Sequence, residues 1–364
     1  MIFGLNLHGE RFMRFLIVSK TENEAASLAA KAGLQGSDVA FWAIESKAAS
    51  VIDELAKADA VITAIGAEPV VIDKPDSAGF PFEGAKAEVL NNTIGFMRVA
   101  GLFDTFAEAY KLSGSKAPVI NAADLSEYAV GYLFKKHHII SYGALSQAKG
   151  LLKCLLMRIP INGISEEMLR YKAAGVGDII WMYELTDKNG KDMYPLFRVG
   201  AGEESLALRR VDLLKDPAKA MKLFGYYHSL NAPVQTTAEL VADIAAVMTG
   251  ESPSSLYLAT INKDKGYVYG VDEPMPVAVN CVIDGANITP QKADLPLPCV
   301  LASNDYVGAF LTAVNAIAVK CKTQFRRAIK LDPYVYSLLA LDEADILSDS
   351  VFANNIVSAY FGGK

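Results

Sequence analysis

Residues 14–32 read RFLIVSKTENEAASLAAKA. Phe15 to Val18 form an unbroken apolar run. Ser19-Lys20-Thr21-Glu22-Asn23 then turns the chain into an Ala-rich helix from about Glu24 to Ala32. A continuous apolar run, as opposed to alternation, marks a strand buried on both faces. The unit repeats in strand Val39–Ile44, helix Ala48–Ala58 and strand Ala60–Ile65, which ends at Gly66. Buried strands alternating with helices over short connections predict an α/β fold, a Rossmann-like doubly wound parallel sheet. We place this domain at residues 1–160, with Ile139–Ser141 as a later strand.

Outward from that unit, residues 91–126 read NNTIGFMRVAGLFDTFAEAYKLSGSKAPVINAADLS. Phe96, Val99, Ala100, Phe103, Phe106, Ala107 and Tyr110 follow a 3-and-4 spacing, which predicts one amphipathic helix ended by Ser113-Gly114-Ser115. Ala117-Pro118-Val119-Ile120 is a short strand that stops in Asn121-Ala122-Ala123-Asp124-Leu125-Ser126. Polar groups at the carboxyl end of a buried parallel strand stand where open α/β sheets bind ligands, so Asn121 and Asp124 are candidate binding residues. Helix capping is the competing role for either one.

A Rossmann sheet usually implies a dinucleotide, bound through a G-x-G-x-x-G turn after the first strand. Here that turn is Ser-Lys-Thr-Glu-Asn-Glu, without a glycine. Ser19, Lys20 and Thr21 offer donors to a phosphate at the helix N-terminus, whereas Glu22 and Glu24 repel one. Glu45, near the end of the second strand, is the candidate acid for ribose hydroxyls, with Ala43 at the usual place of that acid as the alternative reading. NAD is therefore a possible cofactor on this reading.

With 364 residues, 52% of them hydrophobic, and mean hydropathy +0.22, the chain has material for two lobes and a large core. No apolar run reaches the roughly 20 residues of a membrane span. A net charge of -6 and a pI near 5.4 argue against a nucleic-acid or acidic-membrane partner. Cys154, Cys281, Cys299 and Cys321 show no zinc or CxxC spacing and read as buried thiols, which suits a reducing, cytoplasmic setting. Residues 1–12 lack the basic start of a signal peptide, and Met13 is a second candidate start.

From Gly163 onward the pattern becomes α+β, and residues 161–364 form the second predicted domain. Helices are expected at Glu166–Ala173, near Pro217–Phe224, and at Thr236–Thr249, Val307–Ile329 and Tyr334–Leu347. Strands are expected at Tyr267–Val271 and Val277–Ile283. No internal repeat or low-complexity linker interrupts the chain.

An ordered series of motifs resembles the family 4 glycoside hydrolases. It comprises Arg98 in the first turn of a helix, a strand into Asn121-x-x-x-Leu125, Gly175 with Trp181, Phe224-Gly225-Tyr226-Tyr227, residues 261–290 and Leu331-Asp332-Pro333. The resemblance spans about residues 55–350 and implies a lactate and malate dehydrogenase-like second domain. It also implies redox cleavage of a glycoside, in which NAD takes and returns a hydride and a manganese-type divalent metal holds sugar oxygens. A sugar or sugar phosphate is the implied ligand, with Arg98, Asn121 and Asp124 contacting it, and self-association into homo-oligomers is expected.

The chain departs from the family at Asp124, which stands where a second Asn is expected with the following Pro absent, and at both metal-ligand positions. Where its metal ligands are a Cys and a His, this chain aligns Gly143 and Asp178, with Ala144 and Gly177 beside them. Asp178 is left as the candidate metal ligand and site acid, and metal binding is doubtful on these residues. Tyr226 and His228 are the candidate acid–base groups, with packing and a surface loop as their plainer roles. Two functions stay open: a divergent NAD-linked glycosidase or sugar oxidoreductase, and a non-catalytic sugar-binding, regulatory or subunit-partner relative. A metal-free enzyme of other chemistry is a third.

Overall fold

A computed structural model describes residues 13–34, 39–44, 51–76, 78–146, 148–177, 179–200, 227–228, 235–250, 255–262, 266–271 and 274–362. Strands β1 (Phe15–Ser19), β2 (Val39–Ala43), β3 (Ala60–Thr63), β4 (Val119–Asn121) and β5 (Tyr142–Ala144) form a parallel sheet in the order β2-β1-β3-β4-β5. All five residues of β1 are buried, as are all four of β3, which is why their sequences do not alternate. Strand order reverses between β1 and β3, so a crevice opens beyond their carboxyl ends. Helices α1 (Glu22–Lys31) and α2 (Val51–Lys57) accompany the first strands.

The sheet does not stop at β5. Its edge pairs antiparallel with β9 (Ser255–Ile261), and the order continues through β10 (Pro276–Asp284), β6 (Leu169–Val176), β7 (Ile179–Asp187) and the short β8 (Tyr227–His228). β11 (Asn287–Pro290) pairs with β10. The parallel and antiparallel halves thus share one sheet. They also share a core: Tyr128 on α5 (Ser126–His137) meets Phe310 on α9 (Leu297–Ala318) edge-on, with centroids 4.6 Å apart. No single helix among the described residues is long and apolar enough to cross a membrane.

The single helix expected over residues 91–112 is two: α3 (Glu88–Met97) and α4 (Ala100–Ser113). α3 ends by tightening, with Arg98 N–H donating to Gly95 O and Val99 N–H to Phe96 O. Both helices bury aromatics on one side, and Phe96 stacks on Phe103 at 5.5 Å, so the apolar period runs through the break. Arg98 therefore closes α3 and does not open a long helix.

Other expectations shift as well. The strand after α5 is Tyr142–Ala144, three residues later than Ile139–Ser141, because His138 turns the chain in the left-handed region (φ 57°) and Ile140 is exposed. Glu166–Met168 is one 3-10 turn, and Leu169–Val176 is strand where a helix was expected. Residues 267–271 contribute an isolated bridge at Val268, not a strand. The terminal helices are α9, then α10 (Lys322–Leu331), α11 (Pro333–Leu338), α12 (Leu341–Ala353) and α13 (Asn355–Tyr360). The helix near Pro217–Phe224 lies outside the described residues. Remaining helices are α6 (Leu151–Arg158), α7 (Tyr194–Gly200) and α8 (Thr237–Thr249).

The Leu331-Asp332-Pro333 motif has a clear physical task. Buried Asp332 caps α11 by accepting from Tyr334 N–H at 2.9 Å, and it also accepts from Leu90 N–H in the first turn of α3 at 3.0 Å. One carboxylate satisfies orphan donors of two helices, although Leu90 and Asp332 are 242 residues apart in the chain.

Candidate functional site

At the carboxyl ends of β1, β3 and β4 lies a cavity of about 370 Å³ lined by Lys20, Glu24, Leu28, Ala64, Gly66, Ala67, Glu68, Arg98, Ala123, Asp124 and Thr237. It coincides with the reversal of strand order, where this class of sheet binds ligands. Lys20, Arg98 and Asp124, all candidates from the sequence, meet there from three segments far apart in the chain.

Close backbone approaches build the cavity. A Cβ on Gly95 would stand 2.4 Å from the carbonyl oxygen of Glu68, so only glycine lets residues 68–69 cross α3. Val70 N–H then donates to Asn91 O at 3.0 Å and anchors the crossing. A Cβ on Gly66 would come within 3.0 Å of Ala123 Cβ, which brings the segments after β3 and β4 together. These two contacts deliver Glu68, which the sequence reading did not select. Glycines at 66 and 95 were its only signal.

Leu125 adopts the left-handed region (φ 62°), a costly state for a branched side chain, immediately after Asp124. The turn swings the chain from β4 into α5 and leaves Asp124 at the cavity. Asp124 stays accessible to solvent, but partial burial of its carboxyl, with the Glu68 carboxylate close by, raises its pKa.

Asn121 is not among the lining residues. It is 2% exposed, and its amide is spent on the sheet. Oδ1 accepts from Thr63 Oγ1 at 2.6 Å, and Nδ2 donates to Ser141 Oγ at 3.2 Å and Tyr142 O at 3.0 Å. These bonds stitch β3, β4 and β5 together. Ser19 is fully buried, and its hydroxyl donates to Thr21 O, within the turn. His228 lies in β8 opposite Trp181, whose Nε1 donates to Ser303 Oγ at 3.0 Å. Glu45, Asp178 and Tyr226 lie outside the described residues.

No protein-family model matches the chain, and no curated protein matches it in a sequence search. Solved structures do. A Bacillus subtilis protein assigned as a glucosidase (LplD) superposes with a TM-score of 0.63 at 15% identity, covering 92% of each chain. A 6-phospho-alpha-glucosidase from gut microorganisms, in complex with NAD and Mn2+, gives 0.62 at 10% identity, covering 96% of this chain and 93% of that one. The Thermotoga maritima 6-phospho-beta-glucosidase, with NAD and glucose-6-phosphate, gives 0.62 at 9% identity, covering 93% and 91%. The fold is that of the family 4 glycosidases.

Two positions singled out from the sequence bear on cofactor and metal binding. In the first βα turn, Lys20 N–H donates to Glu24 Oε2 and Glu24 N–H donates to Thr21 Oγ1, each at 3.3 Å. The chain's own acid thus takes a backbone donor that a dinucleotide phosphate would use, and no glycine opens the turn. This turn does not fit a pyrophosphate in the usual way. At position 143, a Cβ would stand 2.9 Å from Ser126 Oγ and 3.2 Å from Ser126 C. The glycine there is packed against the start of α5, without room for a ligating side chain. Among the described residues no group of three or more His, Cys, Asp or Glu is placed to hold a metal ion. Asp178, the candidate ligand from the sequence, lies outside the described residues.

Proposed function

We propose that this chain is a glycoside-related protein that binds a sugar phosphate in the cavity beyond β1, β3 and β4. The observation that carries the reading is the convergence of Lys20, Arg98 and Asp124 on one cavity at the strand-order reversal. Lys20 and Arg98 supply the two cations, and a guanidinium pairs with a phosphate through two parallel hydrogen bonds. Asp124 and Thr237 supply acceptor and hydroxyl groups suited to sugar hydroxyls. Neighbours of the same fold are 6-phospho-glucosidases, and one was solved with glucose-6-phosphate.

Binding without family-type turnover is the reading favoured by the self-closed first turn and the packed Gly143. NAD-linked glycoside cleavage is the second reading, supported by neighbours that carry NAD. In that case the dinucleotide would supply reversible hydride transfer, and this chain's residues would hold and orient the sugar.

Titration calorimetry with glucose 6-phosphate tests the proposal. Wild-type protein is expected to bind one equivalent. Arg98→Ala is expected to weaken binding about ten- to a hundredfold, in line with losing a charge-assisted hydrogen bond worth about 1.5–3 kcal/mol. Arg98 is exposed, so its removal leaves the melting temperature in place. No heat with wild-type protein, or equal binding by the variant, would sink the assignment.

A further inference from the structure

A second cavity, of about 350 Å³, opens farther along α8. Thr237 at the start of that helix reaches the first cavity, whereas Leu240, Ile244 and Val247 wall the second. Leu145, Leu256 and Leu258 face them across the space. A volume of this size with an apolar lining is typical of a small-molecule site.

The polar groups on its lining are few and already arranged. Lys149 Nζ lies 2.9 Å from both carboxylate oxygens of Asp243, and Gln235 Nε2 donates to Asp243 Oδ2 at 2.8 Å. The ion pair is therefore compensated and leaves no net charge to recruit an ion. On the lining too, the rings of Tyr171 and Tyr257 lie nearly parallel, tilted by 13° with centroids 6.3 Å apart. Burial raises the pKa of both tyrosines, which keeps their hydroxyls neutral. None of these groups serves the sugar-phosphate reading, and the inference stands apart from it.

The geometry points to a second ligand site, for an uncharged aryl alcohol of one or two rings. The aliphatic walls and the tyrosine pair take the ring, and the polar edge answers a single hydroxyl. A phosphate or a free sugar would lose its hydration against the leucines. A charged group would have to compete with Asp243 for Lys149.

The test is a fluorescence titration with 2-naphthol, which is neutral near neutral pH, beside naphthalene-2-sulfonate, the same ring with a fixed charge. Saturable binding of one 2-naphthol is expected, at least tenfold tighter than the sulfonate. Ala246→Phe fills the cavity and is expected to weaken 2-naphthol binding tenfold or more, and an unchanged thermal melt shows that the variant folds. Should that variant not fold, Leu256→Trp, at a half-buried lining position, reads the same effect. No saturable binding, equal affinity for the sulfonate, or binding untouched in the folded filled variants would overturn the proposal.

Discussion

Glu24 Oε2 lies 3.3 Å from the backbone nitrogen of Lys20, so a side chain from the first turn of α1 closes the loop that precedes that helix. The same carboxylate lines the cavity that also holds Lys20 and Arg98. It is thus both a local cap and an obstacle to incoming anions. Replacing it with Gln keeps the hydrogen-bond acceptor and removes the charge. Glu24→Gln is expected to raise affinity for glucose 6-phosphate about fivefold, the effect of about 1 kcal/mol of charge repulsion at close range in water. Calorimetry reads the change, and adding salt shrinks it.

Asp104 ties α4 to α5. Tyr132 OH donates to its Oδ1 at 2.8 Å, Lys136 Nζ donates to Oδ2 at 2.8 Å, and His137 Nε2 lies 2.7 Å from Oδ1. Burial alone would raise the Asp104 pKa, but hydrogen bonds from Lys136, His137 and Tyr132 outweigh it and hold the carboxyl below its ordinary range. A depressed carboxylate stabilises the fold above its unfolded value and loses that contribution as pH falls through the folded value. Asp104→Asn is expected to cost about 1–3 kcal/mol at neutral pH. Urea unfolding of both proteins along a pH series checks the sign: the gap between them should close in acid.

Asn121 joins three strands through its amide, and its removal leaves the Thr63 hydroxyl and the Tyr142 carbonyl short of partners. Asn121→Ala is expected to destabilise by about 2–4 kcal/mol, since each buried group left unsatisfied costs about 1–3 kcal/mol. Thermal unfolding measures it. A variant of wild-type stability that fails to bind sugar phosphate would instead return Asn121 to the ligand.

Gly143 faces the first residue of α5 without room for a side chain. Gly143→Cys introduces the thiol that the family 4 resemblance implies at this position, yet it is expected to cost about 1–3 kcal/mol by overpacking and to gain no manganese affinity. Gly143→Ala should cost nearly as much, because the collision is with the Cβ. Manganese titration of both variants, alongside their melting temperatures, separates packing from ligation.

The parallel half was legible because its strands are continuous apolar runs, and β1, β2, β3 and α8 fall within a residue or two of expectation. So was the ordered series of family motifs. Reading failed where one pattern serves two structures. Phe96 and Phe103 keep helical spacing across the break at Arg98–Val99, and residues 169–176 carry charges, Arg170 and Lys172, on a strand whose far end is wholly buried. Of the candidate site, Lys20, Arg98 and Asp124 were visible as polar residues at strand or helix ends. Glu68 was not, because its position depends on a backbone crossing over Gly95 that no periodicity reports.

If the cavity beyond β1, β3 and β4 binds a sugar phosphate without NAD or a metal, three ligands separate in their effect on stability. The melting temperature with glucose 6-phosphate, NAD+ and Mn2+, singly and combined, reads the difference. A ligand at a hundredfold excess over its dissociation constant adds about 2.7 kcal/mol. A clear rise is expected with glucose 6-phosphate and none with NAD+ or Mn2+. A rise with NAD+ that Mn2+ enlarges, with none from glucose 6-phosphate alone, would contradict the proposed reading.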